Sequence, residues 1–205
     1  MYWNQLFNKL LSNSIMDALI LAGGENRRFL FHKGLAEIYG QRIIEITSSL
    51  LRKHFNKVWL STNSPEIFFY LGLPMVGDMI NLRGPMTGIF SALACTGAPE
   101  VFVAACDMPF ISEKVITLIK NAYEGQDAVI PVFRGDPQPL IGMYSNRIKD
   151  LMEERINGKR NAMRDLLHDI DVYYIQEQEV LTVDPEGRSF VNINTREDLQ
   201  RATGG

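Results

Sequence analysis

The sequence predicts an α/β fold, with helices covering both faces of a parallel sheet, and three observations carry that expectation. From Asp17 onward, apolar runs of strand length alternate with segments of helical period. One of these runs, VFVAA at 101–105, is apolar throughout, as a strand buried on both faces is. Glycine, aspartate and proline collect just after the carboxyl ends of the runs, where open α/β sheets hold their ligands.

The elements follow in order. DALILA forms the first strand, residues 17–22, and runs into Gly23 and Gly24. In IIEITSSLLRKHF, Ile43, Ile46, Leu50 and Leu51 share helical spacing. KVWLST reads as a strand, and Pro65 opens a short helix, since its missing N–H is no loss in a first turn. A short strand around Met75 and Val76 ends at Gly77 and Asp78, and a helix follows Pro85 through Leu93. The VFVAA strand ends at Cys106, Asp107, Met108 and Pro109, after which Ser112 caps a helix reaching about Tyr123. The second half is less regular. It holds strands near Ala128 to Val132 and Leu140 to Tyr144, helices on both sides of Gly158, short strands near Tyr173 and Phe190, and a last helix starting at Thr195. No linker, repeat or low-complexity segment divides the chain. One domain over residues 17–205 is expected, preceded by an arm over residues 1–16.

Composition narrows the function. The chain has 205 residues, 46% of them hydrophobic and 22% charged, which suits one globular domain with a substantial core. A formal net charge of -3 gives no basic face for nucleic acid. Phosphate chemistry stays open, because only the site itself needs positive charge. The two cysteines, Cys95 and Cys106, make neither a zinc spacing nor a disulfide framework, and a reduced, cytoplasmic protein is the simplest expectation. In the arm, Leu6, Phe7, Leu10 and Leu11 share a helical face interrupted by Lys9. The segment is too short and polar to span a membrane and lacks the layout of a secretory signal. A peripheral helix or frayed arm is one reading of it, a docking or membrane-touching segment the other.

The strongest local signal is LAGGENRRFLFHK, from Leu21 to Lys33. A strand enters two glycines and then a loop bearing Arg27, Arg28 and Lys33. Glycines let backbone N–H groups approach phosphate oxygens, and cations neutralise their charge. The pattern matches neither a P-loop nor the GxGxxG dinucleotide fingerprint, so an ordinary strand-to-loop turn remains the alternative. Asp107 directly follows a buried strand, where a carboxylate can hold a hard cation; capping the next turn is its alternative role. Asp78 has a similar post-strand position. Arg83, Gly84 and Pro85 lead into a helix N-terminus whose N–H groups can face an anion. Asn194 or Thr195 would cap the last helix, which leaves Asn192 the freer to contact a ligand. Cys106 reads as a buried small residue, and the three histidines propose no metal cluster.

Taken together, these motifs resemble the molybdenum cofactor guanylyltransferases within the nucleotidyltransferase group. Leu21, Ala22, Gly23, Gly24, Arg28 and Lys33 fall on the family's opening Leu-Ala-Gly-Gly…Arg…Lys pattern. GPMTGIFSAL is similar to its Gly-Pro-Leu-Ala-Gly helix start, CDMPF to its Cys-Asp-x-Pro segment, and NINTREDL to its Asn-Ile-Asn-Thr-Pro-Glu-Asp-Leu ending. The resemblance runs from about Asp17 to Leu199. It implies a Rossmann-like three-layer nucleotidyltransferase fold with a mostly parallel sheet, Mg²⁺ as cofactor, and GTP and molybdopterin as substrates. It implies nucleotide contacts at Leu21, Ala22, Gly23, Gly24, Lys33, Ser61, Asp78, Gly84 and Asp107, with Asp107 on the metal. Catalytic work would fall to Lys33, Arg28 and Asp107, and Asn192 and Asn194 would lie on the pterin side. Ser61 stands where the family often has asparagine, Leu30 where it has glycine and His32 where it has aspartate. Transient contact with proteins that donate or accept the cofactor, and no contact with membrane, complete the expectation. Two rivals stay open: a nucleotidyltransferase using CTP or a sugar phosphate, and a binding protein without turnover.

Overall fold

A computed structural model of the chain describes residues 16–23, 33–193 and 195–203. The predicted residues before Met16, and Gly24, Arg27, Arg28, Leu30, His32 and Asn194, lie outside these, as does the side chain of Lys33.

The elements begin with β1 (Asp17–Leu21), a two-strand hairpin of β2 (Glu37–Ile38) and β3 (Gln41–Arg42), and helix α1 (Ile43–His54). There follow β4 (Lys57–Ser61), β5 (Met75–Val76), α2 (Pro85–Thr96), β6 (Glu100–Ala105) and α3 (Glu113–Ala122). The second half contains β7 (Ala128–Phe133), β8 (Asp136–Pro137), β9 (Ile141–Ser145), α4 (Lys149–Asn157), α5 (Met163–Leu167), β10 (Val172–Ile175), α6 (Glu177–Val183) and α7 (Arg196–Thr203). The main sheet runs β10-β7-β9-β6-β1-β4-β5, with β8 paired to β7. β1 pairs in parallel with both β4 and β6, while β9 lies antiparallel between β6 and β7. The sheet is mostly parallel, as expected, with β9 the strand that reverses. The reason is length: FRGDPQPL, between the bodies of β7 and β9, is too short for the crossover that a parallel return requires.

Alternation along the strands explains the three layers. Ala18 and Ile20 of β1 pack on one face with Ile44 and Leu51 of α1 and with Val115, Ile116 and Ile119 of α3. Leu19 and Leu21 pack on the other with Met86, Ile89 and Leu93 of α2 and Met152 and Ile156 of α4. Ile20, Leu19, Leu51 and Leu93 are at most 1% exposed, and each such side chain contributes about 1.5–3 kcal/mol by leaving water.

Three local expectations hold. Ser112 caps α3 by accepting the Val115 N–H at 3.2 Å. Thr195 caps α7 by accepting the Asp198 N–H at 3.0 Å. Helices flank Gly158 on both sides. Two expectations fail. Phe190 ends a 3-10 turn, Arg188–Phe190, rather than lying in a strand, because the Asp184 carboxylate takes the N–H groups of Arg188 and Ser189 and coils the backbone. Cys106 is half-buried rather than buried. It occupies the first turn beyond β6.

Met16 is 8% exposed, and its carbonyl accepts the Asn56 N–H at 3.1 Å, which anchors the entry to β1. A chain beginning at Met16 is therefore expected to keep its melting temperature and its rate. Lost solubility or activity in that variant would show that residues 1–15 contribute to the domain or to a subunit contact.

Candidate active site at the carboxyl edge of the sheet

The sheet ladder continues one residue past each of the central strands and so lines up their post-strand loops. The Cys106 N–H donates to Leu21 O at 3.1 Å, the Ala22 N–H to Ser61 O at 2.9 Å, and the Thr62 N–H to Val76 O at 2.9 Å. Cys106–Asp107, Ala22–Gly23, Thr62–Asn63 and Gly77–Asp78 consequently stand side by side along one edge. Residues from four separate stretches of the sequence converge here. The edge is also where α2 begins, because the helix runs back against the strands.

Asp107 is partly exposed, and its backbone carbonyl accepts the Ile193 N–H at 2.8 Å. That bond brings the exposed Asn192 to the Asp107 turn. Ser189 reinforces the junction, its hydroxyl accepting the Ser112 N–H at 3.0 Å. Arg188 lies over the Phe110 ring, 4.7 Å from its centroid.

Lys33 opens a 3-10 turn, Lys33–Leu35, that returns the chain to the same edge. Gly34 fixes where it lands: a methyl in place of its hydrogen would stand 3.3 Å from Ile44 Cβ and 3.7 Å from Cys106 Cβ. The backbone at Lys33 is thus a neighbour of the Asp107 turn.

Helix α2 meets the edge very closely. A side chain at Gly88 would place its Cβ 2.6 Å from Ser61 Oγ and 3.0 Å from Leu21 Cδ2, so only glycine lets the first turn of α2 lie against the ends of β1 and β4. Ser61 is 4% exposed and its hydroxyl lies under this contact. The structure therefore brings Ser61 to the edge through its carbonyl, with its side chain turned into the helix packing. Gly84 precedes the first turn of α2 at φ 156° and ψ 166°, a region essentially restricted to glycine. A Cβ there would come 2.9 Å from Asn161 Nδ2, which donates to Arg83 O at 3.1 Å.

Of the residues expected from sequence, Leu21, Ala22, Gly23, Asp78, Gly84, Asp107 and Asn192 meet at this edge, together with the backbone of Lys33 and Ser61. Two residues escaped the sequence reading. Asn63 pairs with Asp78, and its one signal was an asparagine two positions beyond a strand. Asn161, which reaches Arg83 from the loop between α4 and α5, had no signal, being 78 residues away in sequence.

The donor set at the edge suits a hard divalent cation. Asp107 supplies an accessible carboxylate, and among the described residues no group of three or more His, Cys, Asp or Glu is gathered that would enclose a metal. A single carboxylate fits an ion that takes its remaining ligands from phosphates and water, as Mg²⁺ does. Among the described residues, no helix is long and apolar enough to cross a membrane.

Comparison with known proteins places this geometry. The profile of the MobA-like NTP transferase domain matches residues 18–174. A probable molybdenum cofactor guanylyltransferase from Peptoclostridium acidaminophilum is 32% identical, over 90% of this chain and 86% of its own length. A molybdenum cofactor guanylyltransferase from Desulfosudis oleivorans is 31% identical, over 91% of this chain and 95% of its own. Among solved structures, molybdopterin-guanine dinucleotide biosynthesis protein A from Archaeoglobus fulgidus superposes with a TM-score of 0.79. It is 27% identical, and the match covers 92% of this chain and 97% of that one.

Proposed function

The chain belongs to the MobA-like NTP transferase family, and from that premise we propose that it transfers GMP from GTP to the terminal phosphate of molybdopterin, releasing pyrophosphate. The observation that carries this reading is the convergence of Ala22–Gly23, the Lys33 turn and Asp107 on one sheet edge. The turn after β1 takes the nucleotide through Leu21, Ala22, Gly23 and Gly24, where glycines let backbone groups approach phosphate closely. Asp78 and the backbone at Ser61 and Gly84 complete the nucleotide side. Asn192, beside the Ile193 latch to Asp107, and Asn194 serve the pterin.

The attacking group is a phosphate oxygen that is already ionised near neutral pH, so the protein has little general-base work to do. Its contribution is to hold two anionic substrates in line and to offset their charge. Lys33 and Arg28 neutralise the triphosphate as charge moves onto the departing pyrophosphate. Asp107 would hold Mg²⁺, and the ion when bound would supply positive charge against the phosphates. The reading also places residues 17–205 in one catalytic domain behind an N-terminal arm. It sets the reaction in the cytoplasm, in keeping with two cysteines that form no disulfide, and hands the product to acceptor proteins through transient contacts.

The test is a turnover assay with molybdopterin, Mg²⁺ and each of the four ribonucleoside triphosphates. GTP is expected to give pyrophosphate and the guanine dinucleotide, with CTP at least tenfold poorer in kcat/KM, the scale of one lost edge hydrogen bond. Preference for CTP would transfer the assignment to a cytidylyltransferase. GTP binding without pyrophosphate release would make the protein a binder.

A further inference from the structure

We propose that Asn63 is a positioning residue of the nucleotide pocket, one that sets the Asp78 carboxylate for the nucleoside end of GTP; this rests on the reading of Asp78 as a nucleotide contact. Asn63 stands two residues beyond β4 and Asp78 two residues beyond β5, and the pairing of Ser61 with Val76 lays the two loops side by side. Asn63 Nδ2 donates to Asp78 Oδ2 at 2.7 Å. The Asp78 N–H in turn donates to Asn63 Oδ1 at 2.8 Å. One amide thus grips both the side chain and the backbone of one aspartate. A single bond would leave the carboxylate able to rotate, whereas this two-point hold fixes its direction.

The fold has no evident need of the pair. Its backbone neighbours already join β4 to β5, through Leu60 N–H to Pro74 O at 2.9 Å and Thr62 N–H to Val76 O at 2.9 Å. Asn63 is exposed and Asp78 half-buried, so water competes for both bonds and their net stabilisation is small. What the pair does is assign roles to the two carboxylate oxygens. Asn63 occupies Oδ2, and Oδ1 is the atom left to accept from a ligand.

The chemistry of the hold also selects the part of the ligand. Asparagine orients the carboxylate without neutralising it, as lysine or arginine would. A full negative charge repels the triphosphate and is suited to N–H and O–H donors. The nucleoside supplies these through the ribose hydroxyls and the guanine edge, whose exocyclic amine is a donor. Preorganising such a carboxylate raises affinity by removing the cost of ordering it on binding.

The experiment compares the full chain with Asn63→Ala, Asp78→Ala, the double variant and Asn63→Asp, measuring GTP affinity, kcat, KM and thermal melting. Asn63→Ala is expected to raise the KM for GTP about tenfold, with kcat nearly unchanged and the melting temperature held. Adding Asn63→Ala to Asp78→Ala should cost nothing further, because the first acts only through the second. Asn63→Asp, which sets a second carboxylate against the first, should bind GTP more weakly than Asn63→Ala. Additive losses in the double variant, or normal GTP binding by Asn63→Ala alongside weak binding by Asp78→Ala, would overturn the positioning role alone. Normal GTP binding by Asp78→Ala would overturn the reading of Asp78 and the proposal with it.

Discussion

Asp107→Ala is expected to lower turnover by on the order of 10³-fold or more while leaving the fold intact, the scale on which loss of a preorganised charge-stabilising group is felt. The separation is possible because the structural bond and the proposed metal contact use different atoms of the residue. Its backbone carbonyl accepts the Ile193 N–H and holds the C-terminal segment, and alanine retains that carbonyl. Its carboxylate, standing partly exposed beyond a strand buried along nearly its whole length, is what alanine removes. Circular dichroism and thermal melting should match the unaltered chain, and the dependence of the residual rate on Mg²⁺ should flatten. Near-normal activity would remove Asp107 from the metal. A large drop in melting temperature would reassign its carboxylate to the turn.

Lys33→Met should cost about 1.5–3 kcal/mol of interaction with GTP, or roughly 10–150-fold in kcat/KM, the measure of one charge-assisted hydrogen bond. Methionine keeps much of the apolar volume of the lysine stem and removes only the cation. The turn it opens is held through Gly34, which packs on Ile44 and Cys106, so the backbone should stay in place. Titration of GTP against the variant, with melting measured in the absence of nucleotide, separates the alternatives. His32→Asp, which installs the residue common in the family, is the control on local geometry. A variant that binds GTP normally and melts much lower would show that Lys33 tethers the loop.

What could be read from the sequence was what is local in it. The strands β1, β4 and β6 announce themselves as apolar runs, and Ser112 and Thr195 announce caps, because each signal lies within a few residues of its effect. The hairpin of β2 and β3 was missed, since two-residue strands are too short to show a period. Helix α6 was missed as well: EQEVLTV buries only Val180 and gives a short, weak pattern. The reversal of β9 was recoverable in principle, from the length of the segment before it. At the site, Asp107 and the Ala22–Gly23 turn were legible by their places after strands. The grip of Asn63 on Asp78 and the latch of Ile193 on Asp107 were not, because each joins residues from separate elements that meet only through the register of the sheet. Ser61 shows the converse. The family resemblance implied a ligand contact there, whereas the close approach of Gly88 directs its hydroxyl into packing.

The bond from Ile193 to Asp107 also has a meaning in time. Translation at roughly 5–20 residues per second delivers every strand of the sheet before Ile193 leaves the ribosome. A growing chain can therefore lay down the sheet and its Ala22–Gly23 edge while the aspartate turn still lacks its brace. That brace arrives several seconds after Asp107 itself is made. A polypeptide interrupted in that interval would carry its strands without the Ile193 bond to the Asp107 turn.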